Sequence, residues 1–194
     1  YSTTSSGIII SPFLKFIFFS RAGIKYFLHI VFFSLVLYPF VCILYILFFK
    51  TSIPFSSSVK VMLLRMFGAK VGHGVVIKNN VNIKFPWFLE IESYVWVGEN
   101  VWIDNLTKVS IGSNVCLSQG SYLLTGGHNY KKSEFDLILD AIVLEDGVWI
   151  GAKSVVCPGV TCRSHSVLAV SSVATNDLEN YMIYQGNPAK PKRS

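Results

Sequence analysis

From Val71 onward the hydrophobic positions recur at neither 3.6 nor 2 residues, so amphipathic helices and alternating strands both fail to account for them. An aliphatic residue returns every six positions: Val71, Ile77, Ile83; then Ile91, Val97, Ile103; then Ile111, Leu117, Leu123; then Leu144, Ile150, Val156, Cys162, Leu168, Ala174. The step between the first three runs is eight residues, which small bulges at corners would absorb; the step of 21 before the last run demands a protruding loop. Four residues after these positions the chain is usually small or β-branched, as at Val75, Val95, Ser121, Ser154 and Ser172. The residue directly after the aliphatic is often Gly or Asp (Gly72, Gly98, Asp104, Gly112, Gly151), read as the place where the backbone turns. The pattern predicts a mainly β fold, a coil of short parallel strands with a triangular section and about five turns. The aliphatics point inward, each on its counterpart one coil away. Neighbouring coils depend on each other for stability.

Before the repeat the pattern changes. Residues 26–49 contain no Asp, Glu, Lys or Arg, long enough for a helix to span a bilayer, with Pro39 as a kink or a hairpin point. Residues 8–19 add a second apolar stretch. Cations on both sides leave the orientation open, and no small-residue cleavage site marks a signal peptide. Residues 1–55 are therefore expected to be a helical, membrane-associated region. Residues 56–70 are read as a short amphipathic helix, N-capped within Ser56–Ser58, with Val59, Met62, Leu63 and Met66 on its apolar face and Gly68 ending it. The β-helix follows over residues 71–180, with its loop at 126–141, and a basic tail occupies 181–194.

Composition refines this. Of the 194 residues 52% are hydrophobic and only 14% charged, a low charge content for a soluble domain, and the excess lies before residue 50. The net charge of +6 comes partly from cations bordering the apolar region, which suits anionic headgroups. No stripe of basic and aromatic residues points to nucleic acid. The four cysteines form no C-x-x-C pair, and no Cys/His cluster has zinc spacing, so no metal is expected and the thiols read as small buried groups in a reducing compartment.

Three segments carry a family likeness: residues 111–130 (IGSNVCLSQGSYLLTGGHNY), 142–161 (IVLEDGVWIGAKSVVCPGVT) and 183–191 (IYQGNPAKP). They resemble the hexapeptide-repeat acyltransferases, whose fold is a left-handed parallel β-helix, an exception to the right-handed crossover rule. LLRMFGAKVG, VWVGENVWIDN and LLTGGHNY are most similar to the colanic acid biosynthesis acetyltransferases within it. The resemblance implies acetyl-CoA as donor, a sugar hydroxyl as acceptor, and a homotrimer with each active site between subunits. His128 matches the family's catalytic histidine, and histidine titrates near neutral pH, where a general base for an alcohol works best. Gly126 and Gly127 permit close backbone approach and leave an amide for the oxyanion, or form a simple turn. Asn105 resembles an acceptor-binding asparagine, while Asp104 either does the same or only makes the turn. Trp149, Ala152, Val170 and Thr175 match the region lining the pantetheine groove, and Lys190 and Arg193 match positions that meet the CoA phosphates. Asn176 stands where the family usually has lysine, and Cys162 and Arg163 replace a common Ile-Gly, so Arg163 is either part of a local distortion or a further phosphate ligand. Glu134 or Asp136 is a candidate to orient the imidazole, against the plainer reading of solvated loop charges.

The expected activity is therefore O-acetylation of a sugar in surface or exopolysaccharide synthesis, on a free or lipid-linked saccharide, at the cytoplasmic face of a bacterial inner membrane. A soluble cytoplasmic enzyme is the alternative location. Alternative activities are transfer to an amine or of another acyl chain, and a non-catalytic membrane-tethered scaffold. A zinc-dependent carbonic anhydrase on the same fold is excluded because His29, His73, His128 and His165 include no H-x4-H pair.

Overall fold

In a computed structural model, residues 56–192 are described, together with Ile43, Leu44, Ile46, Leu47 and Phe49. The expected membrane region falls almost wholly outside the described residues, as does Arg193. The chain divides into two compact units, Tyr1–Ile46 and Leu47–Ser194. Among the described residues no helix is long and apolar enough to cross a membrane.

The hexads wind into a parallel β-helix of about six turns with three sheets. The first sheet stacks Lys70–Val71, Leu89–Ile91, Val109–Ile111, Ile142–Leu144 and Thr161–Cys162. The second stacks Val76–Ile77, Trp96–Val97, Cys116–Leu117, Trp149–Ile150, Val167–Leu168 and Ile183–Gly186. The third stacks Asn82–Ile83, Trp102–Asp104, Tyr122–Leu124, Val155–Val156 and Val173–Ala174. The periodic aliphatics are in register down each face. Val71, Ile91, Ile111, Leu144 and Cys162 form one column, Ile77, Val97, Leu117, Ile150 and Leu168 the second, and Ile83, Ile103, Leu123, Val156 and Ala174 the third. All are buried. Burial pushes the Cys162 thiol up to about 12, so it packs as a small hydrophobe.

Two features of the repeat differ from the sequence reading. The tight backbone is not at the residue after the aliphatic but two positions later, where Asn80, Tyr94, Asn100, Asn114, Lys153, His165, Ser171 and Tyr181 all have φ between 55° and 59°. Glycine after the aliphatic answers a different need: a Cβ at Gly151 would lie 2.6 Å from the Val170 nitrogen, because the next coil's backbone passes there. Secondly, the coil does not stop at five turns. Leu178 bridges to Cys162, and Tyr184 extends the second column. Ile183–Gly186 and Ala189–Pro191 then pair antiparallel at the edge of the second sheet, so most of the basic tail is a hairpin on the solenoid.

The open edge of the first coil is closed by a helix, Ser57–Met66, N-capped by Ser56. Its packing keeps Leu63 of the expected face inward, with Val59 half-buried, and turns the two methionines out. Met62 and Met66 are exposed, while Lys60, Val61, Leu63 and Leu64 are buried. A strand edge presents unpaired backbone groups that need partners. The Lys60 ammonium donates to the carbonyls of Ile77 (3.2 Å) and Lys78 (2.8 Å) and to Asn79 Oδ1 (3.2 Å). Ser57 Oγ accepts from the Ile77 amide, and Arg65 donates to the Val71 and Gly72 carbonyls. Burial lowers the Lys60 pKa, and the nearby Lys78 charge lowers it further. Replacing Lys60 with Met keeps the stem but strands those carbonyls; we expect a loss of about 1–3 kcal/mol in a denaturant unfolding midpoint measurement.

Candidate active site

The three long steps of the repeat all fall at one corner, where the third sheet hands over to the first. The first holds the 3₁₀ turn Pro86–Phe88, the second residues 105–108, and the third the long excursion that carries His128. Side chains staple these insertions coil to coil. Asn105 is fully buried: its Oδ1 accepts from the Lys84 and Phe85 amides, both at 3.1 Å, and its Nδ2 donates to the Phe85 carbonyl at 2.6 Å. Thr125, also fully buried, donates to the Asp104 carbonyl at 2.8 Å and accepts from the Leu106 amide at 2.9 Å. Asn105 therefore does not face a cleft as expected; the corner above consumes its amide. No repeat position announces this, because it depends on where the previous coil's insertion lies.

The excursion is a β-hairpin. Gly126–His128 pairs antiparallel with Leu137–Leu139, Gly126 opposite Leu139 and His128 opposite Leu137. A Cβ on Gly126 would sit 2.6 Å from Leu106 Cδ1, so glycine lets the hairpin lie against the coil, whereas space beside Gly127 is open. His128 is exposed, and its Nδ1 is 2.9 Å from the Phe135 carbonyl. Its ring stacks on the Phe135 ring, centroids 4.5 Å apart and planes 10° apart. A carbonyl oxygen only accepts, so Nδ1 carries the proton and the Nε2 lone pair is left for the substrate. The orienting group is thus the backbone between Glu134 and Asp136, not either carboxylate; Asp136 pairs with Lys132 at 3.0 Å.

Asp104 ends its strand on the side opposite the inward Ile103 and is buried there, 8% exposed. It lies 3.1 Å from the Lys84 ammonium and accepts from the Tyr122 hydroxyl at 3.3 Å. Trp102 and Tyr122 stack beside it, centroids 5.0 Å apart. Burial raises the Tyr122 pKa, and the Asp104 charge adds to it. Neither aromatic was singled out by sequence; the signal was available in their position one residue before the inward aliphatic, which faces out.

The donor candidates lie elsewhere on the prism. Trp149 stands out from the second sheet, half exposed, its indole donating to Ser118 Oγ at 2.8 Å. Ala152 and Val170 stack at the corner between the second and third sheets, where the Ser171 amide donates to the Ala152 carbonyl. Thr175 follows the last inward position of the third sheet, exposed, and Lys190 is exposed in the edge hairpin. Arg163 stands beside two acids, 3.4 Å from Glu179 and 3.9 Å from Asp177. Among the described residues no group of three His, Cys, Asp or Glu could hold a metal ion.

Known proteins set this geometry in a class. The chain is 37% identical over 130 residues to the colanic acid biosynthesis acetyltransferase WcaF of Escherichia coli K12, covering 67% of this chain and 71% of that one. It is 27% identical over 123 residues to the galactoside O-acetyltransferase of the same organism, 59% and 61% of the two chains. The hexapeptide-repeat acetyltransferase of Vibrio cholerae, solved with acetyl coenzyme A, superposes with a TM-score of 0.69 at 26% identity over 74% of this chain and 80% of that one. No protein-family model matches. The chain belongs to the hexapeptide-repeat acetyltransferases, within the colanic acid biosynthesis acetyltransferase branch, and its solenoid is their left-handed β-helix. It is an acyl-CoA-dependent acetyltransferase with acetyl-CoA as donor.

Asn105→Ala should destabilise the fold by about 1–3 kcal/mol, since the Phe85 amide loses its partner inside the corner, while the Lys84 amide keeps the Ile103 carbonyl and the Phe85 carbonyl keeps the Phe88 amide. The same variant assayed well below its melting temperature should keep its KM for the acceptor, read by titrating acceptor at saturating acetyl-CoA.

Proposed function

We propose that the protein moves the acetyl group of acetyl-CoA to a sugar hydroxyl, with His128 as general base. The observation that carries this is the imidazole held through Nδ1 by the Phe135 carbonyl on a rigid hairpin, which leaves Nε2 as an acceptor pointing away from the hairpin backbone. Nε2 takes the hydroxyl proton as the alcohol oxygen bonds to the thioester carbon. The carbonyl oxygen becomes negative, and we assign its stabilisation to a backbone amide of the Gly126–His128 strand. Collapse breaks the carbon–sulfur bond, and the imidazolium returns the proton to the departing thiolate. Asp104, with Lys84 and Tyr122 fixing it, is the group we assign to the acceptor's hydroxyls.

The site is completed between subunits of a homotrimer. His128 leaves the prism at the third-to-first corner, whereas Trp149, Ala152 and Val170 lie on the second sheet and its far corner. A single chain keeps base and donor track on different edges, so a neighbour's track supplies the thioester. The hairpin's Leu137, Ile138 and Leu139 are 51%, 43% and 40% exposed, three consecutive apolar side chains that a neighbouring copy would cover. Lys190 and Arg193 are assigned to the CoA phosphates. The acceptor belongs to surface or exopolysaccharide synthesis, free or lipid-linked, reached from the cytoplasmic face of a bacterial inner membrane through contacts of residues 8–49.

His128→Ala should lower kcat by about 10²–10⁴-fold while the protein still migrates as a trimer in sizing with light scattering. A monomer with full activity would sink the intersubunit reading. Asp104→Ala should raise the acceptor KM by about ten- to a hundredfold, the worth of one charge-assisted hydrogen bond, with the acetyl-CoA KM unchanged. Release of free thiol from acetyl-CoA across a sugar panel reads both.

A further inference from the structure

We propose that the helix-capped end of the β-helix is itself a membrane-docking face, seated on an anionic bilayer surface with Met62, Met66, Trp87 and Phe88 in the headgroup layer. This rests on the reading that residues 8–49 contact the membrane, and adds that the catalytic domain has a fixed attitude on it.

The capping helix lies with Lys60 and Leu64 toward the coil, and at 3.6 residues per turn Met62 falls on the opposite side. Ser58, Met62 and Met66 form a stripe directed away from the solenoid; Met62 is 53% and Met66 69% exposed. The stripe continues onto the first coil's insertion. Trp87 packs against Gly68, two residues beyond Met66, and is 57% exposed. Phe85, Trp87 and Phe88 cluster there with centroids 5.0–6.3 Å apart. Unbranched thioethers and an indole with one polar atom suit the boundary between headgroups and acyl chains.

Charge selects the occupant. Residues 1–89 contain nine Lys or Arg and no Asp or Glu, while residues 90–194 contain eight and eleven, so the chain is +9 on one side of Glu90 and −3 on the other. The cationic side is the one with the apolar stripe. Arg65, Lys70, Lys78 and Lys84 surround the first coil, and the nearest acids, Glu90 and Asp104, already neutralise Lys70 and Lys84 from the second coil. An exposed apolar face bordered by Arg65 and Lys78, in a part of the chain without carboxylates before Glu90, matches an anionic lipid surface rather than an acidic protein, which would not fill the stripe. Continuity points the same way: the uncharged stretch ends eight residues before Ser57, a reach of at most about 28 Å. Docked so, the hairpin of His128 leaves the third coil two strand spacings, about 10 Å, from the first coil, and with the thickness of the capping helix about 20 Å from the lipid, within reach of a saccharide on a lipid carrier.

The full-length chain is reconstituted in phosphatidylcholine vesicles with and without phosphatidylglycerol, the acyl chains brominated or not. Flotation tests membrane attachment; the difference in tryptophan quenching between wild type and Trp87→Phe tests docking. We expect bromolipid quenching that depends on Trp87, increases with phosphatidylglycerol, and is lost in Met62→Glu/Met66→Glu. Flotation without Trp87-dependent quenching overturns the docking and leaves residues 8–49 as the sole attachment. Failure to float overturns both readings. A Trp87 shielded from iodide in detergent but untouched by bromolipid means a second copy covers the face, which also overturns it. If the double Glu variant fails to fold, the Trp87→Phe difference still decides.

Discussion

Each coil of this protein satisfies its backbone only through the coils above and below it. Amide after amide in the turns donates to the residue one coil away, as Val76 does to Val95 and Trp96 to Val115. That ladder fixes the register of all three sheets together, because one slipped residue would turn every inward aliphatic outward. It also makes the two ends the weak points. The N-terminal edge is satisfied by side chains of a helix, with a buried lysine at its centre, and the C-terminal edge by a returning hairpin.

The same constraint decides where the molecule can vary. Two corners turn within six residues, held by left-handed residues that leave no slack. Only the third-to-first corner accepts extra residues, and it is used in three successive coils. Asn105 and Thr125 bond these insertions to one another, so the base of the His128 hairpin is as rigid as the coil. A reacting group on a loop can thus be placed with the precision of a sheet residue.

Polarity runs along the solenoid as well. The first coil and its cap are cationic with an apolar outer stripe, and the carboxylates gather from the second coil on. Around the prism the division is between edges, the His128 hairpin on one and Trp149, Ala152 and Val170 on another.

The amino-acid sequence alone determined the coil. Six-residue periodicity in Val, Ile and Leu has one physical solution, and every column of the core was legible from Val71 to Ala174, as was a protrusion between Leu123 and Leu144 that holds a glycine-flanked histidine. What the tertiary structure decided concerns groups whose partners lie a coil away. Asn105 faces inward because the preceding insertion presents the Phe85 amide and carbonyl there. Lys60 is buried and Met62 exposed because the helix covers a polar strand edge and not an apolar surface. The imidazole is oriented by a backbone carbonyl, which no side-chain motif encodes. Periodicity reports which side of its own strand a residue takes; only packing reports what waits on that side.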